Sequence, residues 1–450
     1  MTDASARIVE FRPRRFRQYP EYKDSGVTWL GRVPTNWRVR PLKHMTAFST
    51  GWTPPTGRDD FYAGEHPWAN ISDLGPRILS TTEKSISDAA IQEARLKIVE
   101  AGSLLFSFKL SIGAVSITGV DMYTNEAIAA FSPSSLLETK YLFWAAPILI
   151  LHNAQDNIYG APLLNHERIA NAKLLCPPVS EQRAIAAFLH RRTAKIDGLV
   201  ARKRRLIELL QEKRAALTTH AVTRGLDSNV PIKDSGVEWL GEIPAHWDVK
   251  RLWHLTPRDR KIMYGIVLPG PNVDVGVPIV KGGDVATRLK LDALSRTSFE
   301  IEARYVRSRL RGGDLVYAIR GSIGEVEVVP DELEGANLTQ DAARVAYTRA
   351  THGYWLLHAL RSKGVFGQLE AGALGATIKG INIRDLKRAR LPVPPWSEQR
   401  EIASFLNAEA GKFEELSSKI RTAINHLTEY RTALISAAVT GKIDVRKEAA

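Results

Sequence analysis

The sequence predicts an α/β plus α fold: two tandem-duplicated mixed α/β domains, separated by two long helices that form an antiparallel coiled coil with a pseudo-two-fold. Three observations lead there. Lys23-Asp24-Ser25-Gly26-Val27-Thr28-Trp29-Leu30-Gly31 recurs 210 residues later as Lys233-Asp234-Ser235-Gly236-Val237-Glu238-Trp239-Leu240-Gly241. Pro177-Pro178-Val179-Ser180-Glu181-Gln182-Arg183 recurs 217 residues later as Pro394-Pro395-Trp396-Ser397-Glu398-Gln399-Arg400. Behind each second anchor lies a run of forty-odd residues almost free of glycine and proline. Two anchors in the same order define a duplicated unit of about 210 residues, which is domain-sized and far too long for a solenoid repeat.

Residues 1–19 read as a basic arm carrying Arg7, Arg12, Arg14, Arg15 and Arg17, with no apolar stretch behind them to make a secretory leader. Residues 20–179 read as the first α/β domain and 226–396 as the second, both built from many short strands. Gly64 to Asp73 aligns with Gly276 to Asp284. Gly102-Ser103-Leu104-Leu105-Phe106-Ser107 aligns with Gly313-Asp314-Leu315-Val316-Tyr317-Ala318, a turn entering a buried strand. Lys109-Leu110-Ser111-Ile112-Gly113 then aligns with Arg320-Gly321-Ser322-Ile323-Gly324, still at a shift of 211. Between these segments the copies diverge, as two modules with different targets on one framework would.

Residues 180–225 and 397–450 read as the helical segments. Pro177-Pro178 blocks helix upstream, and Ser180 stands where an N-cap is expected. Ile185, Leu189, Ile196, Leu199, Leu206, Leu210 and Leu217 form a heptad-like stripe, matched by Ile402, Leu406, Phe413, Leu416, Ile420, Ile424, Leu427 and Leu434. Glycine follows both stripes as a stop. A forty-residue helix is roughly 60 Å long at about 1.5 Å per residue and cannot bury a stripe against itself. The two stripes are therefore expected to pack on each other as a spacer, antiparallel because a whole domain separates them in sequence.

Composition bounds the function. Of 450 residues, 44% are hydrophobic and 25% charged, an ordinary globular balance. The single cysteine, Cys176, allows no disulfide framework and no cysteine-based zinc site, which points to a cytoplasmic setting. The apolar run from Tyr141 to Leu151 is too short to span a bilayer. The net charge of +13 is concentrated: residues 180–225 hold eleven basic and four acidic side chains, more than half of the excess. Such a segment attracts polyphosphate backbones, or serves as a solvated face or a seat for an acidic partner. The Pro-Pro pairs lack the Asn or Asp of an amino-methylating tetrad. No phosphate-binding loop, His-Glu-x-x-His or paired-carboxylate cluster is present, and the eleven histidines lack ligand spacing. No catalytic residue, metal ligand or cofactor is expected within this chain.

The Lys-Asp-Ser-Gly-Val-x-Trp-Leu-Gly opening, the Pro-Pro-x-Ser-Glu-Gln-Arg helix entry and the Lys109/Arg320 loop each occur twice and in order. With them the chain resembles the specificity subunit of type I restriction–modification systems from Tyr22 to Val445. The resemblance implies that each α/β part is a target recognition domain reading half of a bipartite, asymmetric site in double-stranded DNA. It implies that the helices are conserved spacers that dock two methyltransferase subunits. Those subunits would bind S-adenosylmethionine, and separate restriction/translocase subunits would use ATP and Mg. By the same resemblance three loops face DNA: Thr53 to Arg58; Lys109 and Ser111 with Arg320 and Ser322; and the segment of Thr377 and Lys379. Repeat one has no lysine in the third loop, and repeat two offers Arg258, Arg260 and Lys261 in place of the first. A stand-alone bipartite DNA-binding regulator and a scaffold are the alternative readings.

Overall fold

The structure, a computed structural model, describes residues 16–156, 162–287, 289–373 and 380–448. Most of the N-terminal arm, with Gly160, Ala161, Thr377 and Lys379, lies outside the described residues. The chain divides into two compact units, one made of Met1–Arg202 with Ala423–Ala450 and the other of Lys203–Thr422.

The first unit is centred on a five-stranded sheet in the order Phe48–Thr50, Ile128–Phe131, Leu104–Ser107, Val115–Thr118, Ile78–Leu79. All its pairs are antiparallel except the last. A smaller sheet sets His66–Ala69 between Tyr123–Thr124, parallel, and Lys84–Ile86, antiparallel. The second unit repeats the plan. Its main sheet runs Met263–Tyr264, Ala342–Val345, Leu315–Ala318, Val326–Val328, and its smaller one sets Val277–Val280 between Asn337–Leu338 and Ser295–Thr297. Both central strands, Leu104–Ser107 and Leu315–Ala318, are buried along their whole length, as continuous apolar runs require.

Each domain is closed where its beginning meets its end. Arg38–Pro41 pairs with Lys173–Cys176, and Asp248–Arg251 with Arg390–Val393, just before each Pro-Pro step. The recurrent motifs now acquire a physical role. Glu181, buried at the start of the long helix, accepts hydrogen bonds from the Trp37 indole (3.0 Å), Asn36 Nδ2 (3.1 Å) and the Tyr19 hydroxyl. In the second unit Glu398 accepts from the Trp247 indole (2.9 Å) and pairs with His246 Nε2 (2.7 Å). The next residue does a second job. Gln182 donates to the Pro177 carbonyl (2.9 Å) and accepts from the Glu138 amide (2.8 Å), and Gln399 does the same with Pro394 and His352. One Glu-Gln pair thus ties the long helix to the domain opening, to the Pro-Pro turn and to the start of a domain helix, so that otherwise unpaired helix-end groups are satisfied.

The long helices run Val179–Arg224 and Trp396–Val439. Ser180 and Ser397 therefore sit inside the first turn rather than at the cap: the Pro178 carbonyl already accepts from the Glu181 and Gln182 amides. Gly225 and Gly441 follow the helix ends with φ of 77° and 72°, as stops. In the first unit Ile185, Leu189 and Ile196 share one core with Leu434, Ala438 and Val439, and Arg431 Nε lies 2.9 Å from Asp197. In the second, Ala221 and Val222 share a core with Ile402, Ala403 and Leu406.

The covered face departs from the expected stripe in phase. On the central helix the less exposed positions include 189, 193, 196, 200, 203, 207, 210, 217 and 221. On the C-terminal helix they include 403, 406, 410, 413, 417, 420, 424, 427, 431, 434 and 438. Leu199, Leu206 and Leu416 are exposed, and Val200, Ile207 and Ser417 take their places on the covered side. The reason is angular. At about 100° per residue, a step of three from Ile196 to Leu199 leaves the face that a step of four to Val200 preserves. Hydrophobic identity alone chose the larger leucine next door.

Candidate nucleic-acid interface

In the first unit the sequence-predicted loops meet around Glu126, between the Tyr123–Thr124 and Ile128–Phe131 strands. The Gly51 and Trp52 amides donate to the Asn125 and Thr124 carbonyls (3.2 and 2.9 Å), and a Cβ on Gly51 would collide with the Thr124 carbonyl. This close approach brings Thr53, exposed, onto Glu126, to which its hydroxyl donates. The Phe108 amide donates to the Ala127 carbonyl (3.1 Å), which sets Lys109, Leu110 and Ser111, all exposed, beside it. Partial burial pushes the Glu126 carboxyl up, but hydrogen bonds from Thr53 and its own backbone, with the Lys109 charge, bring it below its ordinary range. Asn125 donates its amide to the Ala69 carbonyl (3.0 Å), so Asn70 and the short turn behind it join the cluster. Arg58 lies on the same loop as Thr53 but is held by Asp60 (2.8 and 2.7 Å) and stacks 3.8 Å over the Phe61 ring.

The second unit brings together the corresponding segments. The Gly265 and Ile266 amides donate to the Thr339 and Leu338 carbonyls (3.3 and 2.7 Å). The Ile319 and Arg320 amides both donate to the Asp341 carbonyl (2.9 and 3.1 Å), and the Ile381 amide donates to Ile319 (2.8 Å). Arg320 is exposed, with Asp341 at 4.0 Å, and Ser322 is half-buried next to it. A Cβ on Gly282 would strike the Arg320 carbonyl, which places Lys281 and Asp284 in the same cluster.

The counterpart of the first loop in this unit is therefore Gly265 to Gly270, and not the upstream cations. Arg260 forms a bidentate ion pair with buried Asp314 (2.8 and 2.6 Å) and is itself largely covered. Lys261 is exposed, while its carbonyl receives Arg344 Nη2 (3.2 Å); Arg258 is exposed. Sequence reasoning did not single out four positions that the loops bring together: Asn70 and Glu126 in the first unit, and in the second Lys281 and Gln340, which stands at the place of Glu126 and donates its amide to the Ile266 carbonyl (2.9 Å). The signal was available. Asn70 and Lys281 occupy one place in the aligned framework, each donating its amide to an Asp three residues on (2.9 and 2.8 Å), yet the side chains differ.

Among the described residues no group of three or more His, Cys, Asp or Glu side chains could hold a metal ion, and no helix is long and apolar enough to cross a membrane. Burial pushes the Cys176 thiol up, away from the reactive thiolate. What the clusters offer is hydrogen-bonding side chains on tightly held, glycine-assisted loops, the equipment for phosphates and base edges.

The family model described as "Type I restriction modification DNA specificity domain" matches residues 34–209 and 273–426, one copy in each repeat. The chain belongs to this family. Among its relatives, the Escherichia coli type I restriction enzyme EcoBI specificity subunit is 25% identical over 311 residues, covering 68% of this chain and 65% of that one. The MjaIX specificity subunit of Methanocaldococcus jannaschii is 21% identical over 454 residues, covering 96% of this chain and 99% of the relative. The fold is that of a chain in a structure titled for complex assembly and conformational transition of the type I R-M system. That likeness has a TM-score of 0.65 at 17% identity and covers 90% of this chain and 98% of the other.

Proposed function

We propose that this specificity-family chain is a non-catalytic DNA-reading subunit, with each loop cluster addressing one half of a bipartite, asymmetric duplex target. The observation that carries the reading is the pair of clusters at equivalent places on one framework with different readers: Asn70, Lys109 and Glu126 in one, Lys281, Arg320 and Gln340 in the other. A shared backbone with divergent side chains suits two different half-sites. Arg260, committed to Asp314, is left out of the reading set; Thr53, Lys109, Ser111, Arg320, Ser322, Thr377 and Lys379 remain in it.

The long helices act in this reading as an antiparallel coiled coil that spaces the half-sites and docks two methyltransferase subunits. Exposed leucines that the seam does not use, such as Leu206, Leu209 and Leu416, are the apolar surface such subunits would cover. S-adenosylmethionine would then be bound by the methyltransferase, and ATP and Mg by restriction subunits. The test is a domain exchange within the assembled complex. Replacing residues 22–175 with the equivalent domain of a relative should change one half of the methylated site and leave the other intact. A change in both halves would refute the modular assignment.

A further inference from the structure

The most exposed large apolar side chain among the described residues stands in the middle of the first unit's reading cluster. Leu110 is 86% exposed and its φ is 54°, in the left-handed region that disfavours a branched side chain. The only other described non-glycine residue with positive φ is Arg95, which caps a helix, an ordinary place for that conformation. Leu110 caps nothing. Its loop is held tightly from below: Ser107 Oγ donates to the Lys109 carbonyl (2.9 Å), the Gly113 amide to Ser107 (2.9 Å) and the Ala114 amide to Ser111 (3.2 Å). The Ile112 amide also donates to the Leu110 carbonyl. The second unit has Gly321 here, with φ 72°, which meets the same demand without strain. A leucine held out into solvent on a strained backbone gains nothing for the fold.

Its neighbours suggest what it is for. Lys109, Ser111, Thr53 and Glu126 around it are all hydrogen-bonding groups. Base-pair edges in the major groove offer one apolar feature among their donors and acceptors, the C5-methyl of thymine. We infer that Leu110 reads a thymine methyl in the half-site addressed by the first unit. The second unit, with Gly321, makes no such contact from this loop. The inference rests on the proposed placement of the loop on DNA and goes further, by naming the chemical group recognised.

The experiment replaces each thymine of the target by deoxyuridine in turn and measures binding by the assembled methyltransferase complex. At one position in one half-site, loss of the methyl should weaken wild-type binding about fourfold, the value of one methyl-sized group. Leu110→Ala should bind about tenfold more weakly, be insensitive to deoxyuridine at that position, and recognise the other half-site unchanged. Leu110→Gly should lose the same discrimination while melting no lower than wild type, which separates recognition from folding. Lys109→Ala serves as the control for the loop. If Lys109→Ala weakens binding but no thymine distinguishes wild type from Leu110→Ala, the Leu110 assignment falls and the loop placement stands. If both variants are silent, the placement falls too. A Leu110→Ala variant that alters DNA bending with an unchanged deoxyuridine profile would make the leucine a wedge between base steps and overturn methyl reading.

Discussion

The two units share a framework and fill it with different chemistry. Ala130 of the first unit pairs with Leu105 in the main sheet; its counterpart, pairing with Val316, is Arg344. Arg344 is buried, and its guanidinium donates to the carbonyls of Arg307 (2.7 Å), Arg309 (2.8 Å) and Lys261 (3.2 Å). In the smaller sheet Tyr123 packs among Phe61, Trp68, Ile86 and Ala90. Its counterpart Asn337 donates to Glu302 (3.0 Å) and accepts from Ser308 (2.8 Å), while Arg309 grips Glu302 twice at 2.6 Å. An apolar corner and an ionic one thus occupy the same place in the same topology. What persists in both is the strand pairing and the Trp–Glu clamp. The interior is free to change where the incoming polar group finds partners for most of its donors, as the two terminal nitrogens of Arg344 do although its Nε does not. The consequence is asymmetric: an ionic interior stabilises no more than an apolar one, but it fails badly when one member is removed.

That contrast can be broken most directly at Arg344. Arg344→Ala leaves three carbonyls without their donor and a cavity in a closed core, and should destabilise the second unit by about 3–5 kcal/mol. Amide hydrogen exchange should accelerate in Leu315–Ala318 and stay unchanged in Leu104–Ser107; equal acceleration in both would show that the units do not hold their cores separately. The clamp offers a second comparison. Glu181→Gln turns an amide N–H toward groups that already donate, inside a buried site, and should cost about 2 kcal/mol. Glu398→Gln, at a partly exposed carboxylate, should cost under about 1 kcal/mol. Chemical denaturation of the two variants checks the order.

The central helix gives a smaller contrast between neighbouring residues. Val200→Ala, on the covered side, should lower stability by about 1 kcal/mol, whereas Leu199→Ala, exposed, should stay within about 0.5 kcal/mol in the isolated chain. A reversed order would restore the original stripe. The smallest effect is with acid. The Arg309 guanidinium holds the Glu302 carboxyl below its ordinary range, against the opposing pull of burial and with help from Asn337. A depressed carboxylate contributes stability that is complete above its unfolded pKa, about 4.3, and lost as pH falls through its lower folded value. Exchange at the Glu302–Arg309–Asn337 corner should therefore rise on acidification below about pH 4, and the Phe61–Trp68–Tyr123 corner should not follow.

Much of this was legible in the chain because it depended on local chemistry repeated twice. The duplication, the Trp and Glu-Gln residues of its motifs, the glycine stops and the buried Leu104–Ser107 and Leu315–Ala318 strands could all be read from residue identity and order. The opening and helix-entry motifs pointed to a family even before their side chains could be seen to touch. The covered face of the central helix was read in the wrong phase, since Leu199 and Val200, or Leu206 and Ile207, satisfy three-and-four spacing equally well, and only tertiary packing chooses between them. Arg260 looked like a free cation because its partner, Asp314, lies 54 residues away. Glu126 and Gln340 drew no attention because nothing local marks them.

By itself, then, the sequence determined the duplication, the two long helices and the family, since these rest on periodicity and on side chains whose role is set by their neighbours in the chain. Tertiary structure alone decided which cations are committed to an ion pair, which leucines are covered and which loops share a surface. Those are questions of distance between residues far apart in sequence, and hydrogen bonds such as Phe108 to Ala127 or Arg320 to Asp341 answer them only once the strands have paired.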